Sequence, residues 1–297
     1  MLDPGSAGLQ HTVGSALREL SAELKLAGIE DPGGDVRRLL AEVLDTSSAG
    51  ILREPERELS PAQLDTLRAW VARRKGHEPV SRILGKRDFY GRTFAISPAT
   101  LDPRPDSETV IAAALEIVAK EGWQLVPIRI LDVGTGTGCL LVTLLCELPR
   151  ATGLGSDICE AALATACDNA RRLGVDARAE WKEADTLEGI PGPFHMLVAN
   201  PPYVRTAEIA DLELEVRNFD PVLALDGGID GLAVYRRLLE RAWDVVADGW
   251  VVLEVGHDQA HAVMELLASE PRVDKAKICV HSDVAGKRRC VAARTLG

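Results

Sequence analysis

Ile130-Leu131-Asp132-Val133-Gly134-Thr135-Gly136-Thr137-Gly138 is the stretch that decides the fold. A mostly apolar segment runs into three alternating glycines, and a second apolar run, Cys139 to Leu145, follows at once. The pattern predicts a strand, a tight turn and a helix. Glycine lets a backbone turn sharply and approach a ligand closely, and a helix starting there presents free N–H groups. A dinucleotide site wants Gly-x-Gly-x-x-Gly, but Cys139 occupies the third glycine's place. A phosphate loop wants a following Lys-Ser or Lys-Thr, and there is none. Taken alone, a glycine turn is weak evidence for any particular ligand.

The chain on either side adds to it. Residues 151–158 read as a short strand that reaches the acidic Asp157, nineteen positions after Gly138. An acid there can accept hydrogen bonds from both ribose hydroxyls of a nucleoside cofactor, a solvated loop aspartate being the plain alternative. A helix is expected over 160–173, stopped by Gly174, then a strand over 179–181 leading to Glu183-Ala184-Asp185. Asp185 can accept from an adenine amino group or cap a helix. The apolar run Met196 to Ala199 then ends in Asn200-Pro201-Pro202-Tyr203. The order is β-α-β-α-β-β, with every candidate residue at the carboxyl end of a strand, as ligand crevices of open parallel sheets require.

Asn200-Pro201-Pro202-Tyr203 suits a planar nitrogen that carries hydrogens but attacks poorly. The Asn200 side-chain oxygen and the adjacent backbone carbonyl are acceptors, so together they can hold both hydrogens of an NH2 group. The prolines restrict the backbone and remove competing N–H donors. Tyr203 offers a flat face for an amide or a base. A bare Pro-Pro turn leaving a strand is the plain reading.

Together these segments resemble the class I methyltransferases that use S-adenosylmethionine, with an α/β, Rossmann-like, mostly parallel sheet. The resemblance implies a cofactor site at Gly134, Thr135, Gly136, Thr137, Gly138, Asp157, Asp185, Thr186 and Asn200. It implies catalysis by Asn200, Pro201 and Tyr203, with the target group held by Asn200, Pro201, Pro202 and Tyr203. An Asn-Pro-Pro-Tyr in this position belongs to methylases of planar NH2 nitrogens, which include N6-adenine, N4-cytosine and protein-glutamine enzymes.

Composition narrows the choice. The chain has 297 residues, 46% of them apolar, which is ample for a packed core. Its net charge of −11 argues against a nucleic-acid substrate, because phosphate neutralisation dominates that affinity. The six cysteines contain no Cys-x-x-Cys pair, so buried reduced thiols are expected and no metal site. No run of eighteen apolar residues occurs and residues 1–5 do not open a signal peptide, so a cytoplasmic protein is expected.

Residues 1–76 read as a small helical bundle. Thr12 or Ser15 can cap a first helix with Leu17, Leu20, Leu24 and Leu26 on its apolar side, ended by Gly28. Asp35 opens a second, and Ser60-Pro61 a third. Residues 77–102 read as a linker with a β-hairpin, its aromatics clustered about Gly91, and residues 103–297 as the catalytic domain. A helix is expected over 109–120.

At this point the resemblance narrows to the PrmC/HemK family of glutamine methyltransferases. It is carried by Pro79 to Glu108, including Pro103-Arg104-Pro105, and by Glu215 to Pro221. Ala224 to Leu232, Leu253-Glu254-Val255-Gly256 and Asp283 to Arg289 carry the rest. The family implies N5-methylation of the glutamine in the Gly-Gly-Gln loop of class I peptide chain release factors, leaving S-adenosylhomocysteine. A monomer is expected, with the helical domain recognising the release factor. The alternative is an N6-adenine-type DNA or RNA amino-methyltransferase. Three positions depart from the family pattern. Asp106-Ser107 replaces the usual Glu-Thr, Asp102 stands where an apolar residue is usual, and Thr186 where the residue is often aromatic.

Overall fold

The computed structural model describes residues 11–296, and contacts divide the chain between Gly85 and Lys86. The first unit is helical. Helix α1 (Val13–Leu26) starts where Thr12 and Ser15 cap each other's backbone N–H groups, at 3.2 and 2.9 Å. Leu20 and Leu24 are buried, but Leu26 is 91% exposed, against the sequence expectation. Two residues past Leu24 is about 200° around a helix of 3.6 residues per turn, which carries Leu26 to the opposite side.

Helix α2 (Pro32–Val43) begins earlier than Asp35, because Asp31 caps it by accepting from Gly34 N at 3.0 Å. Asp35 instead turns inward. It accepts from Arg74 Nε at 2.6 Å and from Arg38 Nη2 at 2.5 Å, and both Asp35 and Arg74 are buried. Helix α3 (Ser48–Arg53) was not foreseen; α4 (Pro61–Lys75) starts as expected, with a capping box between Ser60 and Gln63. Helix α5 (Val80–Leu84) is a second unforeseen element, and Gly85 stops it in the left-handed region at φ 68°. Leu20, Leu24, Val36, Leu39, Leu40 and Leu67 form this unit's core, each fully buried aliphatic stabilising it by roughly 1.5–3 kcal/mol.

The second unit opens with a hairpin, β1 (Lys86–Phe89) and β2 (Arg92–Ala95). Tyr90 and Gly91 form its two-residue turn with φ of 48° and 70°, the sign pattern of a type I′ connection. Phe89 and Phe94 meet edge to face, ring centres 6.1 Å apart. A single 3-10 turn, Pro105–Ser107, leads into α6 (Glu108–Lys120).

The sheet strands are β3 (Arg129–Val133), β4 (Thr152–Asp157), β5 (Ala179–Glu183), β6 (Phe194–Ala199), β7 (Val246–Glu254), β8 (Cys279–Ser282) and β9 (Arg288–Arg294). Helices α7 (Cys139–Glu147), α8 (Glu160–Arg172), α9 (Leu214–Phe219), α10 (Ala233–Val245) and α11 (Ala260–Ser269) connect them. The spatial order is β5-β4-β3-β6-β7-β9-β8, parallel from β5 to β7, with β9 antiparallel to both neighbours. This is the mostly parallel α/β sheet of a class I methyltransferase.

Parallel strands covered on both faces need apolar residues at every position. In β3, and in β6 and β7 beyond the register irregularity between Phe194 and Met196, the alternation is clean. Ile130, Met196, Val198, Trp250 and Val252 pack towards α6 and α7, while Leu131, Leu197, Val251 and Leu253 pack towards α10 and α11. By the same alternation Asp132 and Glu254 point to the α6 side, where both are buried. No helix among the described residues is long and apolar enough to cross a membrane. The six cysteines are free thiols; Cys290 is buried and the other five only half-buried, less than expected.

Candidate active site

In the parallel register Val133 lies beside Ala199 and Ala199 beside Leu253. Gly134 and Asn200 are therefore each one step past adjoining strand ends, and Glu254 lies next to Asn200. From β3 the sheet grows one way through β4 and β5 and the other way through β6 and β7. Such a switch point opens a crevice at the carboxyl ends of the strands. Here it holds a cavity of about 280 Å³.

Most residues singled out from the sequence line this cavity. Gly134, Thr135, Gly136 and Thr137 come from the turn after β3, and Asp157, Asp185 and Thr186 from the ends of β4 and β5. Asn200, Pro201 and Pro202 come from the end of β6. Two do not line it, Gly138 and Tyr203, and the reasons are physical. At Gly134 an added Cβ would meet no atom within 4 Å, so this part of the turn faces open space. At Gly138 it would stand 3.1 Å from Ala166 Cβ and 3.3 Å from Trp181, with φ at 77°. Gly138 lets the turn pack against α8 and β5 rather than receive a ligand.

Tyr203 is turned inward. Its ring packs with the core on the α10 side, and burial beside Glu254 raises its phenol well above the usual range. It forms a wall behind the site instead of a platform within it.

The acidic groups already have work. Asp132 Oδ2 accepts from Thr135 Oγ1 at 2.6 Å and Leu141 N at 3.3 Å, so the Thr135 hydroxyl is committed to the turn. Asp157 accepts from Gly136 N at 2.9 Å and Cys159 N at 3.0 Å, tying the glycine turn to the start of α8. Asp185 accepts from Arg237 Nη2 at 2.5 Å, a partner 52 positions away that also lines the cavity. Thr186 sits at φ 52° and donates its hydroxyl to the Asp185 carbonyl at 2.7 Å.

Asn200 donates from Nδ2 to Ser107 Oγ at 3.2 Å, and Ser107 is itself buried. Arg104, from the same segment, pairs with the buried Asp220 at 2.5 Å, and Asp220 also accepts from Asp102 N at 3.3 Å. Asp102 has a further cationic neighbour in Arg87, at 3.8 Å. Glu108 lies off the cavity and accepts from Tyr90 N at 2.8 Å, anchoring the hairpin turn.

Asn169 had no place in the sequence reading. Fully buried on α8, it accepts from Ala95 N at 2.8 Å and donates to both Ala95 O and Thr137 O at 2.9 Å. It joins the end of the hairpin to the glycine turn. Asn169→Ala leaves three main-chain groups, one buried and two part-buried, without that partner and is expected to destabilise the second unit by about 2 kcal/mol. Thermal melts check this, and a Tm within a degree of the parent speaks against the role.

Two buried carboxyls stand beside the cavity. Burial pushes Asp132 up to about 7, opposed by its bond from Thr135. Burial also pushes Glu254 up to about 7, opposed by the Ser107 hydroxyl and Arg289. A raised acid holds a proton in the folded chain that the unfolded chain releases near its ordinary value. Its contribution to stability is therefore full at low pH and is lost as pH rises from about 4 to about 7. Across pH 5 to 7 the Tm of Glu254→Gln should fall less with rising pH than that of the parent. Parallel Tm curves would contradict this.

Comparison with known proteins adds two family matches. Residues 15–85 match the PrmC N-terminal domain, and residues 115–216 the methyltransferase small domain. The release factor glutamine methyltransferase of Rhodospirillum rubrum is 42% identical over 275 residues, covering 91% of this chain and 81% of that protein. Its counterpart in Bradyrhizobium diazoefficiens is 41% identical over 287 residues, covering 96% and 95%. Among solved structures, the hMettl16 catalytic domain in complex with MAT2A 3'UTR hairpin 6 aligns with a TM-score of 0.55 at 16% identity. That alignment covers 72% of this chain and 81% of that one, a likeness of fold alone.

Proposed function

Because the chain belongs to the release factor glutamine methyltransferases, we propose that it methylates N5 of the Gly-Gly-Gln glutamine of class I release factors. We propose S-adenosylmethionine as the methyl donor and a cytoplasmic monomer as the working form. The helical unit, matching the PrmC N-terminal domain, would recognise the release factor.

The open face of the glycine turn at Gly134 supports the donor's fit, since its methionine part can lie there without meeting a side chain. Gly136 and Asp157 would hold the donor from the turn and the ribose side, and Asp185 with Thr186 would border the base. When bound, S-adenosylmethionine supplies an electrophilic sulfonium methyl group.

One observation carries the reading of the acceptor. Asn200 spends its NH2 on Ser107, which leaves the amide oxygen for the cavity that Asn200 lines. A glutamine amide nitrogen gives its lone pair to its own carbonyl and attacks poorly. Asn200 Oδ1 and the Pro201 carbonyl, accepting its two hydrogens, would favour positive charge building on that nitrogen and aim it at the methyl. Positioning and preorganised acceptors are the catalytic devices. A general base at the nitrogen is unnecessary, since the methylated nitrogen is strongly acidic and sheds its proton afterwards.

Mass spectrometry of the Gly-Gly-Gln peptide, after incubating a release factor with enzyme and S-adenosylmethionine, tests the proposal. A gain of one methyl on glutamine is expected, with no label transferred to adenine-containing oligonucleotides. Label on the oligonucleotides and none on the release factor would reverse the assignment.

A further inference from the structure

An asparagine amide can present either its oxygen or its NH2 to a cavity, and only the oxygen can receive the hydrogens of a substrate amide. What Asn200 presents is decided by the group on its other side. That group is Ser107 Oγ, which accepts from Asn200 Nδ2 at 3.2 Å. A hydroxyl has one proton. It can offer lone pairs to Asn200 only while that proton points elsewhere, so a third group must accept it.

We propose that Glu254 is that group: a positioning residue that takes the Ser107 proton and thereby holds the Asn200 amide with its oxygen towards the reacting nitrogen. The proposal rests on the functional reading above. Three independent placements carry it. The parallel register puts Ala199 beside Leu253, so Asn200 and Glu254 stand at neighbouring strand ends. Strand alternation turns Glu254 to the α6 side, where the 105–107 turn brings in Ser107. Both side chains are closed off from solvent, Ser107 at 2% and Glu254 at 1% exposure, and the Ser107 and Tyr203 hydroxyls stand near enough to the carboxyl to favour its charged form. Among the described residues Glu254 Oε2 has no hydrogen-bond partner. Burying a carboxylate with one oxygen unsatisfied is costly, and an apolar residue would continue the strand more stably.

Once ionised, above about pH 7, Glu254 only accepts, whereas a glutamine in its place can also donate at any pH. With Glu254→Gln, the new NH2 can point at Ser107 Oγ and release the hydroxyl proton towards Asn200. Asn200 then turns over and offers NH2 to a substrate NH2, donor against donor. Arg289 from β9 and Asp106 from the 105–107 turn also face the Glu254 carboxyl, with opposite effects on its charge. Tyr235 on α10, Cys139 on α7 and Cys290 on β9 feel that charge as well.

The experiment compares Glu254→Gln, Ser107→Ala and Ser107→Thr with the parent. It reads single-turnover methyl transfer to a release factor, calorimetric affinity for S-adenosylhomocysteine, Tm, and the Asn200 side-chain NH2 signals in 15N spectra. Glu254→Gln and Ser107→Ala should each slow transfer by about tenfold, the scale of one net hydrogen bond, without weakening S-adenosylhomocysteine binding or lowering Tm. Ser107→Thr, which keeps the hydroxyl, should restore the rate. The double variant should be no slower than Ser107→Ala, since the two residues form one chain. The Asn200 NH2 signals should move in Glu254→Gln. An unchanged rate, an additive double variant, a loss that tracks Tm or S-adenosylhomocysteine affinity, or unmoved Asn200 signals would each overturn the proposal. A parent enzyme that methylates no release factor fails the functional reading instead, and the Asn200 signals still decide the role of Glu254.

Discussion

Asn200→Ala lowers the rate of methyl transfer in a single turnover by about 10²-fold or more, the scale on which one preorganised polar contact to a transition state acts. The residue stands at the end of β6 between two prolines' worth of restricted backbone and the buried Ser107 hydroxyl, so its oxygen is placed before any substrate arrives. Alanine keeps the backbone and the Pro201 carbonyl but leaves one amide hydrogen without its acceptor. The effect should fall on the chemical step, with S-adenosylhomocysteine affinity largely kept because the glycine turn and Asp157 are untouched. Rapid-quench measurement with saturating donor separates the two. A rate within a factor of about three of the parent would remove Asn200 from catalysis, given the size expected of such contacts.

Asp157→Ala weakens S-adenosylhomocysteine binding by about 10²-fold, with one to two charge-assisted hydrogen bonds lost at roughly 1.5–3 kcal/mol each. Two effects combine. The carboxylate is the acceptor for Gly136 N and Cys159 N, so its removal frees the glycine turn from the start of α8 before any ligand binds. It also removes the acceptor that the ribose hydroxyls would use. Asp157→Asn should fall between, because the amide oxygen keeps one of the two backbone bonds while its NH2 faces another donor. Calorimetric titration checks both variants, and parent-like affinity in Asp157→Ala would refute the assignment. Transfer at saturating donor should recover much of the parent rate, the opposite of the pattern expected for Asn200.

What could be read from the chain alone divides by distance along it. The strand, turn and helix from Ile130 to Leu145 were legible because glycine spacing and the apolar runs are local signals, and the structure reproduces them as β3 and α7. The hairpin about Gly91 and the capped start of α4 were legible for the same reason. Partnerships across the fold were not. Asp185 with Arg237 and Arg104 with Asp220 span 52 and 116 positions, and no periodicity announces them. Asp35 looked like a helix opener because acids are common in first turns, yet Asp31 takes that place and Asp35 meets Arg74 inside the bundle. Gly138 and Tyr203 belong to motifs whose other members line the cavity. Their side chains, real or absent, are set by Ala166, Trp181 and the α10 core, which motif spacing does not report. Asn169 carries no motif and shows its value only through Ala95 and Thr137.

The pairing of β3 with β6 has a further consequence. Val133 and Ala199, the residues before Gly134 and Asn200, are the last pair in register, so the two segments leave the sheet at its own interstrand spacing of about 4.8 Å. The proposed donor side and acceptor side would thus start from points spaced by main-chain hydrogen bonds, which side-chain changes do not set. Segments that approach the cavity from outside the sheet, such as the one carrying Leu223 and Ala224, can diverge to admit other partners while the distance to be crossed by the methyl group stays the same.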